Sequence, residues 1–284
     1  MLVKEILDVA KSALAQNGIE ESELDAKLLM CHMLGIDQTK LFMNWGRELS
    51  QHQCEIYFEL LDRRNARIPL QYIVGFQNFM GEDFEVREGV LIPRPETELL
   101  VNLAFEKLKG YKKPKVLDLC TGSGIIAITV AKNIEKAKVT ASDLSADAVN
   151  LAKDNAKRLH ADIEVKTGDL FEPFCGKFTN KKFDMIISNP PYIKTDDIET
   201  LQIEVREHEP HMALDGGEDG LDFYKRILEN AYKYLTKNGT LLMEIGCDQK
   251  EAIIDIAKGL ENYRNIEVQK DYAGHDRIFY CEKF

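Results

Sequence analysis

The stretch Lys115-Val116-Leu117-Asp118-Leu119-Cys120-Thr121-Gly122-Ser123-Gly124-Ile125-Ile126-Ala127-Ile128-Thr129-Val130-Ala131 changes character twice. Lys115 to Leu119 reads as a strand, Thr121 to Gly124 as a tight turn, and Ile125 to Ala131 as a helix. Glycines in such a turn let a nucleoside approach the backbone closely. The turn is no dinucleotide fingerprint: Cys120 stands at the first glycine position, and no G-x-G-x-x-G can be read. A lone Gly-x-Gly also suits a plain strand-to-helix turn, so the following strands decide its meaning. Lys138 to Asp143 is a second strand. It ends in an acid roughly 20 residues after the glycines, where a carboxylate can take both ribose hydroxyls. Ile163 to Thr167 is a third, ending at Gly168-Asp169-Leu170-Phe171. Asp169 can accept the exocyclic amine of adenine, with Leu170 or Phe171 against the ring.

A fourth strand, Phe183 to Ser188, is a continuous apolar run of the buried parallel kind and ends at Asn189-Pro190-Pro191-Tyr192. This ending suits the grip of a planar NH2 group. The Asn189 side-chain carbonyl accepts one N–H, and the Pro190 backbone carbonyl accepts the other. Two prolines fix φ and hold that carbonyl in place. Tyr192 offers a ring face. Four strand ends with such chemistry form a crevice at the carboxyl edge of a sheet, where open α/β folds bind ligands.

Outward from this core, strands and helices keep alternating, which calls for a parallel sheet covered on both faces. A helix over Asp147 to Leu159 is capped by Ser145, a helix runs from Leu221 to Leu235, and a strand from Thr240 to Ile245. Asn265 to Gln269 and Arg277 to Cys281 read as an antiparallel pair at the sheet edge. Residues 1–75 look all-helical and form a substrate-docking domain. Ile6, Val9, Ala10 and Ala13 repeat at helical spacing up to Gly18, and Leu24, Leu28 and Cys31 do so up to Gly35. Ser50 to Gln53 is a capping box for a third helix, carrying Ile56, Phe58, Leu60 and Leu61. Residues 76–92 read as a β-hairpin linker, and residues 93–284 as the catalytic domain.

The 284 residues carry 37 basic and 48 acidic side chains, a net charge of −11. That balance argues against stable nucleic-acid binding. Lys4, Glu5 and Asp8 break any signal-like apolar run, and no stretch suits a membrane span. Six scattered cysteines without a Cys-x-x-Cys pair read as reduced thiols, so the expected setting is cytoplasmic. A monomer is expected. Glu207 to His211 invites a metal reading, but Pro210 breaks the helix that would align its histidines, so no metal is expected. Asp215 to Gly220 lacks calcium-loop spacing. Arg63, Arg64 and Arg67 form a small basic cluster, read as a helix C-terminus or a partner contact.

The series Asp118, Gly122-Ser123-Gly124, Asp143, Asp169, Asn189-Pro190-Pro191-Tyr192 resembles the amino-methylating class I S-adenosylmethionine-dependent methyltransferases. Three further stretches resemble the PrmC (HemK) family: Arg67 to Gly75, Val90 to Glu98 with its Pro93-Arg94-Pro95-Glu96-Thr97-Glu98, and Asp271 to Arg277. So does Glu207 to Leu221. The resemblance implies an α/β, Rossmann-like fold with a seven-stranded, mostly parallel sheet after the N-terminal helical domain. It implies methyl transfer from S-adenosylmethionine, leaving S-adenosylhomocysteine, to the glutamine of the Gly-Gly-Gln loop of a peptide chain release factor. Cys120, Thr121, Gly122, Ser123, Gly124, Asp143, Asp169, Leu170, Phe171 and Asn189 would hold the cofactor. Asn189, Pro190, Pro191 and Tyr192 would hold the substrate amide, with Asn189, Pro190 and Tyr192 catalytic. Two alternatives share the Asn-Pro-Pro-Tyr motif: an adenine-N6 DNA methyltransferase, and a glutamine methyltransferase of a ribosomal protein.

Overall fold

The computed structural model describes residues 1–175 and 181–284. The chain forms two compact units, Met1–Phe76 with Gln202–His208, and Gln77–Leu201 with Glu209–Phe284.

The first unit contains α1 (Val3–Gln16), α2 (Ser22–Leu34), α3 (Gln38–Met43), α4 (Gln51–Asn65) and α5 (Leu70–Val74). The buried stripe of α1 is Val3, Ile6, Leu7, Ala10 and Leu14, which keeps the expected Ile6 and Ala10 and takes Leu7 and Leu14 in place of Val9 and Ala13. Val9 is half exposed, because Leu7 and Leu14 offer the core more apolar area. In α2 the face is Ala26, Leu29 and Met30, while Leu24 lies outside. The Ser50–Gln53 capping box forms as expected, Ser50 Oγ accepting the Gln53 N–H and Gln53 Oε1 the Ser50 N–H. Tyr57 of α4 is fully buried and donates its hydroxyl to the Ala26 carbonyl at 3.0 Å. Residues 202–208 join this unit through charge. Arg64 bonds Asp25 at 2.7 Å and Glu204 at 2.9 Å, and Arg67 bonds Glu204 at 2.6 Å. Arg64 is 7% exposed, so two of the three clustered arginines serve an internal ion network.

The second unit opens with a hairpin of β1 (Phe76–Phe79) and β2 (Glu82–Glu85). Met80 and Gly81 both have positive φ, as a two-residue hairpin turn requires. Then follow α6 (Thr97–Lys107), β3 (Lys115–Leu119), α7 (Ile125–Asn133), β4 (Lys138–Asp143), α8 (Ala146–Arg158), β5 (Ile163–Thr167) and β6 (Phe183–Ser188). The short α9 (Ile203–His208) lies in the segment that joins the first unit. The chain closes with α10 (Asp222–Tyr234), β7 (Leu235–Glu244), α11 (Lys250–Gly259), β8 (Tyr263–Lys270) and β9 (Asp276–Lys283). Strand β7 begins well before the expected Thr240, because Leu235 already pairs with Phe183 ahead of a register shift.

The seven strands are ordered β5-β4-β3-β6-β7-β9-β8. The first five pair in parallel; β9 is antiparallel to both β7 and β8. Side chains alternate across the sheet. Val116, Met185, Ile187 and Leu242 meet α6 and α7 on one face. Leu117, Ile186, Leu241 and Met243 meet α10 and α11 on the other. Burial on both faces is why these strands read as unbroken apolar runs. No helix among the described residues is long and apolar enough to cross a membrane.

Candidate active site

Strand β3 has β4 on one side and β6 on the other, so the strand order reverses between them. Leu119 pairs with Ser188 there, and Ser188 Oγ donates to the Leu119 carbonyl at 2.8 Å. The two motifs, which begin one residue beyond this pair, therefore emerge side by side at a topological switch point. A cleft opens at these strand ends. Cys120, Gly122, Asp143, Asp169, Leu170, Asn189 and Pro191 line it, together with apolar Leu144, Met212 and Phe223. Thr121, Ser123, Gly124, Phe171, Pro190 and Tyr192 are not among its lining residues.

The glycine turn is built around two acids, Asp118 fully buried and Asp143 half-buried. Asp118 Oδ2 accepts from Thr121 Oγ1 at 2.6 Å and from the Ala127 N–H at 3.2 Å. Its Oδ1 is buried without a partner, and burial pushes the carboxyl up to about 7. Asp143 Oδ2 accepts the Gly122 N–H at 2.8 Å, and Oδ1 accepts the Ser145 N–H at 2.9 Å. Burial raises this carboxyl too, against those hydrogen bonds. Cys120 has φ +56° and Gly122 φ +55°, both left-handed. A side chain at Gly122 would meet no protein atom within 4 Å, leaving backbone bare to the cleft. Bare backbone, apolar walls, two lining carboxylates and an orphaned buried acid nearby fit a nucleoside that carries positive charge.

Asp169 bonds Arg226 at 2.5 Å, so the acid expected to meet adenine already has a cationic partner. Leu170, with φ +46°, faces the cleft, but the Phe171 ring stacks on Tyr234 with centroids 4.7 Å apart. The apolar wall therefore comes from Leu170 and not from Phe171.

The Asn189–Tyr192 loop is braced from below. Ile193 N–H donates to Leu214 at 2.9 Å, and Gly216 N–H donates to Ile193 at 2.8 Å. A Cβ on Gly216 would stand 2.8 Å from Tyr192 Cα, so only glycine lets the two loops touch. Gln249 Nε2 donates to the Tyr192 carbonyl at 2.8 Å. The Asp215–Gly220 stretch is thus a buttress for the Asn-Pro-Pro-Tyr loop.

Three residues near this loop escaped the sequence reading. Asn189 Nδ2 lies 3.2 Å from Thr97 Oγ1, and Thr97 Oγ1 donates to Glu244 Oε2 at 2.7 Å. Tyr192 donates its hydroxyl to Glu244 Oε1 at 3.2 Å. Burial raises the Glu244 carboxyl above its ordinary range, against the pull of Thr97, Arg277 and Tyr192. The signals were present: Thr97 sits inside Pro93–Glu98, Glu244 closes the apolar run Leu241-Leu242-Met243, and Arg277 lies in Asp271–Arg277. Arg94 of the same stretch bonds Glu209 at 2.5 Å, and Glu209 Oε2 accepts the Ile92 N–H. Glu209 is thereby a structural anchor. Among the described residues no cluster of His, Cys, Asp and Glu could hold a metal ion.

Residues 5–75 match the family described as PrmC N-terminal domain, and residues 95–207 match the Methyltransferase small domain. The chain is 38% identical to a release factor glutamine methyltransferase of Clostridium acetobutylicum, over 98% of this chain and 97% of that one. It is 39% identical to one of Bacillus cereus, over 99% of each. Among solved structures it resembles a methyltransferase from Pyrococcus furiosus, with a TM-score of 0.53, 20% identity and coverage of 78% of this chain and 98% of that one. That likeness carries the fold alone.

Proposed function

The chain belongs to the release factor glutamine methyltransferases, and from that premise we propose how its own residues perform the reaction. It is an S-adenosylmethionine-dependent enzyme that methylates the side-chain amide nitrogen of the Gly-Gly-Gln glutamine in peptide chain release factors. S-adenosylmethionine supplies a methyl group already activated by a cationic sulfur.

Cys120, Thr121, Gly122, Ser123 and Gly124 shape the turn that receives the cofactor. The Asp143 oxygens each accept one backbone N–H and keep a lone pair for a ribose hydroxyl. Asp169, paired with Arg226, would hold the adenine edge, and Leu170 would form the wall against its ring. Asn189 Oδ1 and the Pro190 carbonyl accept the two protons of the target NH2, with Pro191 and Tyr192 fixing the loop.

An amide nitrogen is a weak nucleophile because its lone pair is delocalised; the ~18–20 kcal/mol rotation barrier of an amide reports that resonance. Orientation is therefore the main contribution the residues can make, and it can supply up to ~7–11 kcal/mol. The surplus proton leaves to water. The reading rests on the pairing of Leu119 with Ser188, which sets the nucleoside turn and the amide grip side by side. Incubation with radiolabelled S-adenosylmethionine and purified release factors, followed by mass mapping, tests it. Label on the Gly-Gly-Gln glutamine is expected. Label on DNA adenine or on a ribosomal protein instead would replace the substrate.

A further inference from the structure

Asparagine has a nearly symmetric end. Its oxygen and NH2 group exchange places by a half-turn that leaves the shape unchanged. An Asn189 turned the wrong way would offer donors to an NH2 group and repel it, so something must fix the amide's direction.

Thr97 is fully buried and Glu244 is 1% exposed. A threonine hydroxyl has one proton, and Thr97 gives it to Glu244 Oε2 at 2.7 Å. Toward Asn189, 3.2 Å away, Thr97 can then only accept. The Asn189 NH2 must therefore face Thr97, and Oδ1 is the group left for the cleft that Asn189 lines. The other Glu244 oxygen accepts from Tyr192, so one carboxylate governs both ends of the Asn-Pro-Pro-Tyr loop. Arg277 reaches the Ile245 carbonyl at 3.3 Å and places its positive charge beside this carboxylate.

We propose that Thr97 and Glu244 are positioning residues that lock the Asn189 amide with its oxygen toward the substrate, so that the site selects NH2 donors. The proposal rests on the reading that Asn189 accepts a substrate N–H. A carboxylate, which has no N–H to give, meets an acceptor-only surface and is excluded. The same lock thus separates glutamine from glutamate in the target loop.

The test uses the full chain with a whole release factor, measuring kcat, the KM for each substrate and the cofactor Kd. Thr97→Val keeps shape but loses the hydroxyl, and is expected to lower kcat by about 10- to 100-fold, as displaced positioning contacts do. The cofactor Kd is expected to stay put. Glu244→Gln is expected to act in the same direction, because an amide can donate to Thr97 and reverse the chain of donors. Thr97→Ser restores the hydroxyl and is expected to restore kcat. In an Asn189→Ala background, Thr97→Val is expected to cost nothing more, whereas a merely structural role would lower both backgrounds equally. If Thr97→Val does not fold, Thr97→Ala against Thr97→Ser gives the same comparison. Equal losses in both backgrounds, or a Thr97→Val enzyme with unchanged kcat, would overturn the proposal while leaving the function standing. An Asn189→Ala enzyme with full activity would overturn both.

Discussion

Asp143 Oδ2 accepts the Gly122 N–H at 2.8 Å, so the acid that closes β4 also holds the turn that follows β3. One side chain thereby shapes the turn and lines the cleft beside it. Asp143→Ala removes both proposed ribose hydrogen bonds. Cofactor affinity is expected to fall by roughly 2–4 kcal/mol, at about 1–2 per bond. Titration calorimetry showing unchanged affinity would remove Asp143 from the cofactor site.

Asn189→Ala is expected to fold, to retain cofactor binding and to lose ~100-fold or more in turnover, as when one preorganised polar contact is deleted. A cofactor-binding variant with near-normal turnover would show that the amide is held elsewhere.

Asp118 makes stability depend on pH. Its folded value of about 7 lies above the ordinary 3.8, a gap of about 3 pH units worth ~4 kcal/mol. A raised carboxyl contributes fully below pH 3.8 and loses that contribution as pH rises through about 7. Unfolding free energy is therefore expected to fall between about pH 4 and pH 7, and Asp118→Asn is expected to flatten that slope. Parallel denaturant titrations at the two pH values measure it. An equal slope in both proteins would contradict the assignment.

The sheet was legible because burial on both faces writes itself as unbroken apolar runs, as in Met185-Ile186-Ile187. The turn and the Asn-Pro-Pro-Tyr loop were legible because their chemistry is contiguous. What escaped was long-range. Thr97 bonds partners 92 and 147 residues away, and no local pattern announces such a pair. Arg64 was read as part of a basic cluster, but its pairing escaped for the same reason, since Glu204 lies 140 residues further on. The choice between Leu170 and Phe171 stayed open because the left-handed φ at Leu170 interrupts the strand's alternation.

Arg64→Ala is expected to destabilise the protein by about 3–5 kcal/mol, because it leaves the buried Asp25 charge uncompensated and Glu204 with Arg67 alone. Urea denaturation reads this as a lower midpoint. A midpoint equal to that of the parent would mean that the network contributes nothing.

The whole release factor is expected to be a far better substrate than a short peptide carrying Gly-Gly-Gln or free glutamine. The proposed grip holds only an NH2 group, which every glutamine offers, so discrimination is expected from binding energy remote from the reacting amide. The N-terminal helices are the surface we propose for it. Removal of residues 1–75 strips Arg64 and Arg67 from Glu204, so the truncated chain is best made with Glu204→Gln to avoid an orphaned charge. That chain is expected to keep its cofactor affinity and to lose methylation of the whole factor, while its weak activity on peptide persists. Steady-state kinetics on both substrates, with calorimetry for the cofactor, decide the matter. If the truncated enzyme methylated the whole factor as efficiently as the full chain, docking would have to be assigned to the catalytic unit alone.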